Sequence, residues 1–295
     1  MKKVILFYKF VPLPDPQMAM LWQKELCAGL GLKGRIIVSP QGINGTLGGD
    51  IENLRKYKRA MNASGTFRGI HYKWSDGTGR EFPRLSVKMR DELVSFKKPE
   101  EVKVSEHGVV GGGKHLKPEA LHKLIKERGE DVVFFDGRNA YEAQVGRFKG
   151  AVVPDTRTTR DFVAELESGK YDDIKDKPVV TYCTGGIRCE VLSVLMKNRG
   201  FKDVYQMDGG IVKYGEKYGD DGLWEGNLYI FDDRMTHKFS KKAKDIGECV
   251  HCARKTSNFE NCADVSCNRL VLICKACKEN QKISCENHAP ALTIN

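Results

Sequence analysis

Residues 178–196, PVVTYCTGGIRCEVLSVLM, change hydrophobic period in mid-course, and that change limits the fold more than any other feature of the chain. Pro178 to Tyr182 is short, apolar, rich in β-branched residues and opened by a proline, the pattern of a buried strand. After the glycines, Val191, Leu192, Leu195 and Met196 recur at helical spacing until Asn198-Arg199-Gly200 stops the helix. A strand that turns through Thr-Gly-Gly straight into a helix belongs to an α/β domain. The flanks agree. Pro118 opens a helix with Leu121, Leu124 and Ile125 inward, and another helix covers roughly 159–168. Val132-Val133-Phe134-Phe135 is a wholly apolar strand that ends at Asp136, and Val204-Tyr205-Gln206-Met207 is a last strand before Gly209-Gly210. Residues 116–220 therefore read as a doubly wound parallel-sheet domain. Ligands of such sheets bind beyond the carboxyl ends of the strands, where Cys183 lies.

The first 96 residues follow a different pattern. Val4–Phe7 reads as a strand, and Met18, Trp22, Leu26 and Leu30 recur every four residues as one helical face. Arg35–Val38 is a second strand, and Gln41–Leu47 is a turn leading into a third. Asp50 reads as the N-cap of a helix through about Ala60, and Leu85–Met89 closes the unit as a fourth strand. The order βαββαβ predicts an α+β, ferredoxin-like (acylphosphatase-like) domain with helices on one face. Residues 97–115 are rich in lysine and glutamate and end in Gly111-Gly112-Gly113-Lys114-His115. No strand immediately precedes these glycines, and the Walker spacing to a Lys-Ser/Thr pair is absent. A flexible linker is expected there, not a phosphate loop. Residues 221–295 form a small cysteine-rich region.

No run approaches the ~18 apolar residues of a membrane span. The amino terminus lacks a small-residue cleavage site and reads as a first strand, so a cytoplasmic location is expected. The formal net charge of +10 favours a polyanionic partner, because lysine and arginine gain affinity by displacing counterions from phosphates. Cys27, Cys183 and Cys189 are scattered among the ten cysteines; the other seven lie between 249 and 285. Without a secretory signal, pairs spaced two residues apart point to metal, not to disulfides.

The loop Cys183-Thr184-Gly185-Gly186-Ile187-Arg188 has the makings of an anion site. Glycines let successive N–H groups point inward as a nest, and the following helix adds its positive end. Both favour a thiolate or persulfide at Cys183, with Arg188 as a permanent charge at the rim. Four residues separate cysteine from arginine. Cysteine phosphatases use a longer loop that rings a phosphate, so the tighter one suits a smaller group such as a sulfur atom. In the tail, Cys249, Cys252, Cys274 and Cys277 form a crossed set for one tetrahedral zinc, and Cys262, Cys267, Cys285 and His288 form a second. The role expected of these ions is structural, since a saturated ion has no open position. Lys238, Lys241, Lys242, Lys244, Arg254 and Lys255 make this region basic, consistent with RNA contact.

Asp136-Gly-Arg138-Asn with Glu142, then Gly146-Arg-Phe-Lys-Gly150-Ala151 and Pro154, resemble rhodanese signatures. More specifically, Cys183 to Glu190 is similar to the loop of the rhodanese-containing tRNA uridine hydroxylases. Gln41-Gly-Ile-Asn44-Gly-Thr46 resembles that family's Glu-Gly-Ile-Asn-Gly-Thr, with glutamine in place of glutamate. Phe82-Pro-Arg-Leu85 with Val87-Lys88, and Trp224 with Phe231-Asp232-Asp233-Arg234, resemble two further segments of it. The resemblance implies oxygen-dependent conversion of the wobble uridine of tRNA to 5-hydroxyuridine, with molecular oxygen as co-substrate and an electron donor that the sequence does not identify. It makes Cys183 the essential thiol, with Asp136 and Arg138 behind its loop, and carries over Cys189. That residue is either a small side chain in the first helical turn or a resolving thiol for an oxidised Cys183. The tRNA anticodon stem-loop is the implied partner. Asn44 and Thr46, with Lys241 and Lys242, are candidate RNA contacts. Two other readings stay open: a sulfurtransferase carrying a persulfide on Cys183, and a non-catalytic RNA-binding module.

Overall fold

The computed structural model describes residues 1–267, 269–280 and 282–285. The first domain is a five-stranded sheet built from β1 (Lys2–Phe10), β2 (Lys33–Ser39), β3 (Gly42–Asp50), β4 (Lys73–Asp76) and β5 (Leu85–Met89), in the order β4-β1-β3-β2-β5. Helices α1 (Pro16–Gly29) and α2 (Ile51–Ala63) cover one face. Leu85–Met89, expected as the fourth strand, is the fifth: it runs parallel to β2 at one edge. The fourth position belongs to the segment Lys-Trp-Ser-Asp, antiparallel to β1 at the other edge. Four residues with a single large apolar side chain carry no periodic signal, and their pairing comes entirely from β1.

Ile5, Phe7, Ile36, Val38 and Leu47 form the helix-side core with Leu54, Tyr57 and Met61 of α2. Trp22, Leu26 and Leu30 of the predicted face pack part-buried against the core, but the fully buried residues of α1 are Gln23 and Cys27 and Met18 is 63% exposed, so the helix is turned slightly from that face. Gln23 is tolerated because the Tyr57 hydroxyl donates to its Oε1 at 2.6 Å and its amide reaches the Met61 sulfur at 3.1 Å. Asp50 makes no side-chain cap; its carboxylate pairs with Lys2 at 2.7 Å.

Strand alternation sends Val4, Leu6, Tyr8 and Phe10 to the opposite face, together with Asn44 and Thr46 of β3 and Lys73 and Ser75 of β4. That face is largely covered. Phe10 and Phe96 enter a core with Phe135, Val179, Leu192 and Leu195 of the next domain. β1 is apolar on both sides because it is covered on both sides.

The second domain has four parallel strands, in the order Lys114–Leu116, Asp203–Met207, Pro178–Tyr182, Val133–Asp136. Pro178–Tyr182 is buried at every position and lies inside the sheet, so Cys183 emerges at its carboxyl edge. The glycine run read as a flexible linker leads directly into the outer strand. Gly113 N–H donates to Ser193 Oγ at 2.9 Å, and its carbonyl accepts from Gln206 Nε2 at 3.0 Å. A Cβ on Gly113 would lie 2.9 Å from the Val204 carbonyl oxygen, so close approach to the neighbouring strand demands glycine.

Two Asp-x-Arg units repeat one geometry. Asp136 Oδ1 accepts the Arg138 backbone N–H at 3.0 Å and its Nε at 2.9 Å, with Nη2 on Oδ2 at 2.6 Å. Asp232 and Arg234 reproduce this at 3.1, 2.8 and 2.5 Å. Arg138 is fully buried against Tyr182 and Trp224. Arg234 instead reaches across to β4, donating to the Asp76 carbonyl at 2.8 Å. The segment after Trp224 thus straps the second domain to the first. Beyond it, a short hairpin (Phe259–Asn261 with Leu270–Leu272) and the helix Lys275–Asn280 carry the clustered cysteines. Asp136→Ala would leave the Arg138 guanidinium buried without its anion. An unfolding free energy lower by about 3–5 kcal/mol is expected, read from the urea midpoint; an unchanged midpoint would refute this role.

Candidate active site

Cys183 is 1% exposed, yet its surroundings favour charge. Gly186, held at φ +101, directs its N–H onto the sulfur at 3.2 Å. Burial pushes the thiol pKa up. The Cys189 thiol donating to the sulfur, the Arg188 guanidinium, and the amides of Cys189 and Arg188 outweigh it and bring the value down to about 6. The anion cup is therefore one glycine amide plus the first turn of the helix Ile187–Asn198. Gly185 serves another purpose: a Cβ there would sit 2.6 Å from Leu6 Cδ2, so the first domain can lie directly on the loop. Ile187 is half-buried and packs against the core shared by the two domains.

Arg188 does not stand free at the rim. Glu142, fully buried, takes both its nitrogens at 2.5 and 2.8 Å, and Thr184 Oγ1 accepts a further bond at 3.2 Å. Glu142 is itself fixed by the capping box with Asn139, whose N–H reaches Oε1 at 3.1 Å. The guanidinium also lies over the Phe231 ring at 5.6 Å. Its charge acts on the sulfur from a rigid, desolvated position.

The other wall comes from β1 and β4. Tyr8 O–H donates to Glu190 Oε1 at 3.1 Å, and Glu190 also meets Gln206 Nε2 at 3.3 Å and His115 Nε2 at 3.4 Å. Burial, then the Glu190 and Cys183 charges, hold the Tyr8 hydroxyl well above its usual pKa. The Lys73 ammonium lies 5.0 Å from the centre of the Tyr8 ring. Beside the loop, a cavity of about 550 Å³ opens between Leu6, Thr46, Lys73, Thr184, Phe231 and Arg234, drawing on both domains and the strap.

In the tail, the sulfurs of Cys249, Cys252, Cys274 and Cys277 lie within 4.8 Å of one another, and so do those of Cys262, Cys267 and Cys285. The Cys252–Cys274 and Cys267–Cys285 sulfurs are 3.6 and 3.7 Å apart. Tetrahedral bonds of about 2.3 Å would set thiolates about 3.8 Å apart, so the donor sets fit a zinc-sized ion. His288 falls outside the described residues.

Three family models match in order: UPF0176 acylphosphatase like domain over residues 2–93, Rhodanese-like domain over 117–217, and Rhodanase C-terminal over 225–289. A Corynebacterium urealyticum protein named tRNA uridine(34) hydroxylase is 59% identical over 283 residues, covering 96% of this chain and 95% of that protein. Proteins of the same name from Corynebacterium diphtheriae and Arthrobacter are each 61% identical, covering 94% of this chain and 91% and 94% of theirs. The chain belongs to the tRNA uridine(34) hydroxylase family.

Its family motifs gather unevenly. Cys183, Thr184, Gly186, Arg188 and Cys189 meet at the loop, with Asp136 and Arg138 behind it, where Tyr182 O–H donates to Asp136 at 2.9 Å. Thr46 lines the cavity, while Asn44 is half-buried opposite Tyr8. Lys241 and Lys242 are exposed and do not line it. Gln41, where the family motif has glutamate, accepts the Leu93 N–H through its amide oxygen at 3.2 Å, a task that needs no charge. Leu6, Tyr8 and Lys73 gave no signal in sequence, because only the docking of the first domain brings them to the thiol. The thiolate absorbance, taken as the difference between the protein and Cys183→Ala, is expected to titrate near pH 6. Cys189→Ala, which removes a donor to the anion, should move that midpoint up; an unchanged midpoint would refute the assignment.

Proposed function

We propose that this chain hydroxylates the wobble uridine, position 34, of tRNA, with Cys183 as the reacting thiol and molecular oxygen as co-substrate. The observation that carries the assignment to Cys183 is a sulfur at a strand terminus, faced by the Gly186 N–H at 3.2 Å and by groups that favour its thiolate, next to a cavity framed by both domains. Family membership supplies the substrate class. The chain's own groups divide the work. Gly186, Arg188 and the helix amides keep the sulfur anionic; Glu142 orients Arg188; where Cys183 is oxidised to a sulfenic acid, the Cys189 thiol attacks its sulfur, breaking the S–O bond to form the disulfide and release water. The wobble base must leave its stack to meet a sulfur this enclosed. The net charge of +10 supports binding of the phosphate backbone.

Leu6 and Tyr8 screen the loop from a sulfur donor and a nucleobase alike, so it is family membership that favours hydroxylation over sulfur transfer. We further assign a structural zinc to Cys249, Cys252, Cys274 and Cys277, and a second metal position to Cys262, Cys267 and Cys285. Bound zinc would crosslink the tail, which has few large apolar residues, and would take no part in the reaction.

Nucleoside mass spectrometry of tRNA from cells lacking the protein tests the reaction. Restoring the protein should restore 5-hydroxyuridine-type nucleosides, and Cys183→Ala should not. Thiosulfate turnover with unchanged nucleosides would favour the sulfurtransferase. For the tail, Cys274→Ser should lower the zinc content of the purified protein by one equivalent and expose the 249–285 region to protease; unaltered zinc content would refute this ligand set.

A further inference from the structure

The cavity beside the thiol loop has an uneven distribution of charge. Several charged groups line it, and most are already committed. Lys3 is paired with Asp76, and Arg234 with Asp232 at 2.5 Å. Burial and the nearby Arg234 charge hold the His237 pKa below its usual value. Lys73 and Glu216 are different. Among the described residues neither side chain has a hydrogen-bond or ion-pair partner; burial holds the Lys73 pKa below its usual value, and its ammonium otherwise lies only over the Tyr8 ring. Lys73 is placed there by register: it pairs with Leu6, whose tip touches the thiol loop at Gly185. Among the charged groups that line it, the cavity therefore offers Lys73 as an unpaired donor and Glu216 as an unpaired acceptor, with apolar walls from Leu6, Phe231 and Phe239.

A pyrimidine base matches that description, and only one of the two RNA pyrimidines matches it in full. Uracil presents a carbonyl acceptor at O4 beside an N–H donor at N3. Cytosine presents the reverse, an amino donor at position 4 beside an acceptor at N3. An ammonium has three donors and no acceptor, and an ionised carboxylate only accepts. The geometry points to this cavity as the seat of the unstacked base, with Lys73 donating to uracil O4 and Glu216 accepting N3–H, so that these two residues select uridine over cytidine. The inference rests on the proposed reaction and adds how its substrate is chosen. Cytosine would set donor against donor at the part-buried Lys73, where an unpaired group discriminates most, and acceptor against acceptor at Glu216, which is exposed and contributes less. The apolar walls supply stacking, which every base accepts and which carries no selectivity of its own.

The test uses the full-length protein and anticodon stem-loop RNAs that differ only in uridine or cytidine at the wobble position. In the wild type, reductive methylation of Lys73, read by peptide mass spectrometry, should be slowed at least about tenfold more by the uridine stem-loop than by the cytidine one. Lys73→Met should lose most of the binding preference for the uridine stem-loop while keeping its affinity for the cytidine one, and Lys73→Arg should retain part of the preference. Equal protection by the two RNAs, or a preference undiminished in Lys73→Met, overturns the proposal; the protection measurement stands even if that variant fails to fold. Hydroxylation is followed in parallel. A wild type that prefers uridine but produces no hydroxylated nucleoside would overturn the proposed reaction and leave this pocket standing. Hydroxylation without any preference would overturn the pocket and leave the reaction.

Discussion

A sulfur at 1% exposure whose surroundings favour its thiolate is the constraint around which the rest of the molecule is arranged. A buried thiolate left to itself would protonate, because desolvation penalises the charge. Here it is held by one glycine amide, two amides of a helix's first turn, a neighbouring thiol and a guanidinium. The guanidinium in turn needs an anion of its own in the same dry space, and Glu142 provides it through two short bonds. Each member solves the burial problem of the next. Removing one leaves an unpaired charge in low dielectric, which is the costly outcome for any such network.

Enclosure also explains the three-part architecture. The parallel sheet alone would present the Cys183 loop to solvent. The first domain covers it by laying the open face of its own sheet on the loop, and Gly185 permits the contact because any Cβ would collide with Leu6. The strap after Trp224 closes the remaining side, anchored by a second Asp-x-Arg unit on the exposed edge of β4. The cavity left between these parts belongs to no single domain. The cysteine-rich module packs behind the strap through Phe259 and Leu272 against Tyr229 and Val145, so metal binding there would stiffen the strap's far end.

Much of this was legible in the amino-acid order. The strand–loop–helix period change located Cys183 at the end of a central strand, and the spacing of the tail cysteines gave the first crossed set, which the fold brings together, and the three cysteines of the second. Errors came where local pattern is weak or where tertiary context overrides it. Lys73–Asp76 has no alternation of its own, and Leu85–Met89 looked like the strand that closes the unit. Gly111-Gly112-Gly113 looked like slack because glycine signals both freedom and close approach, and only the neighbouring Val204 carbonyl distinguishes them.

By itself the sequence determined the elements whose causes are local: a buried strand, a Gly-Gly turn, a helix start, thiols at ligand spacing. Those depend on backbone sterics and periodicity within a few residues. Only the tertiary structure decided what faces the sulfur. Leu6, Tyr8 and Lys73 lie more than a hundred residues from Cys183, and nothing in their own neighbourhood marks them as part of a site. They arrive there because the first domain's sheet has an apolar face that water disfavours, and burying it in a core shared with the second domain sets one domain's strand on the other's loop.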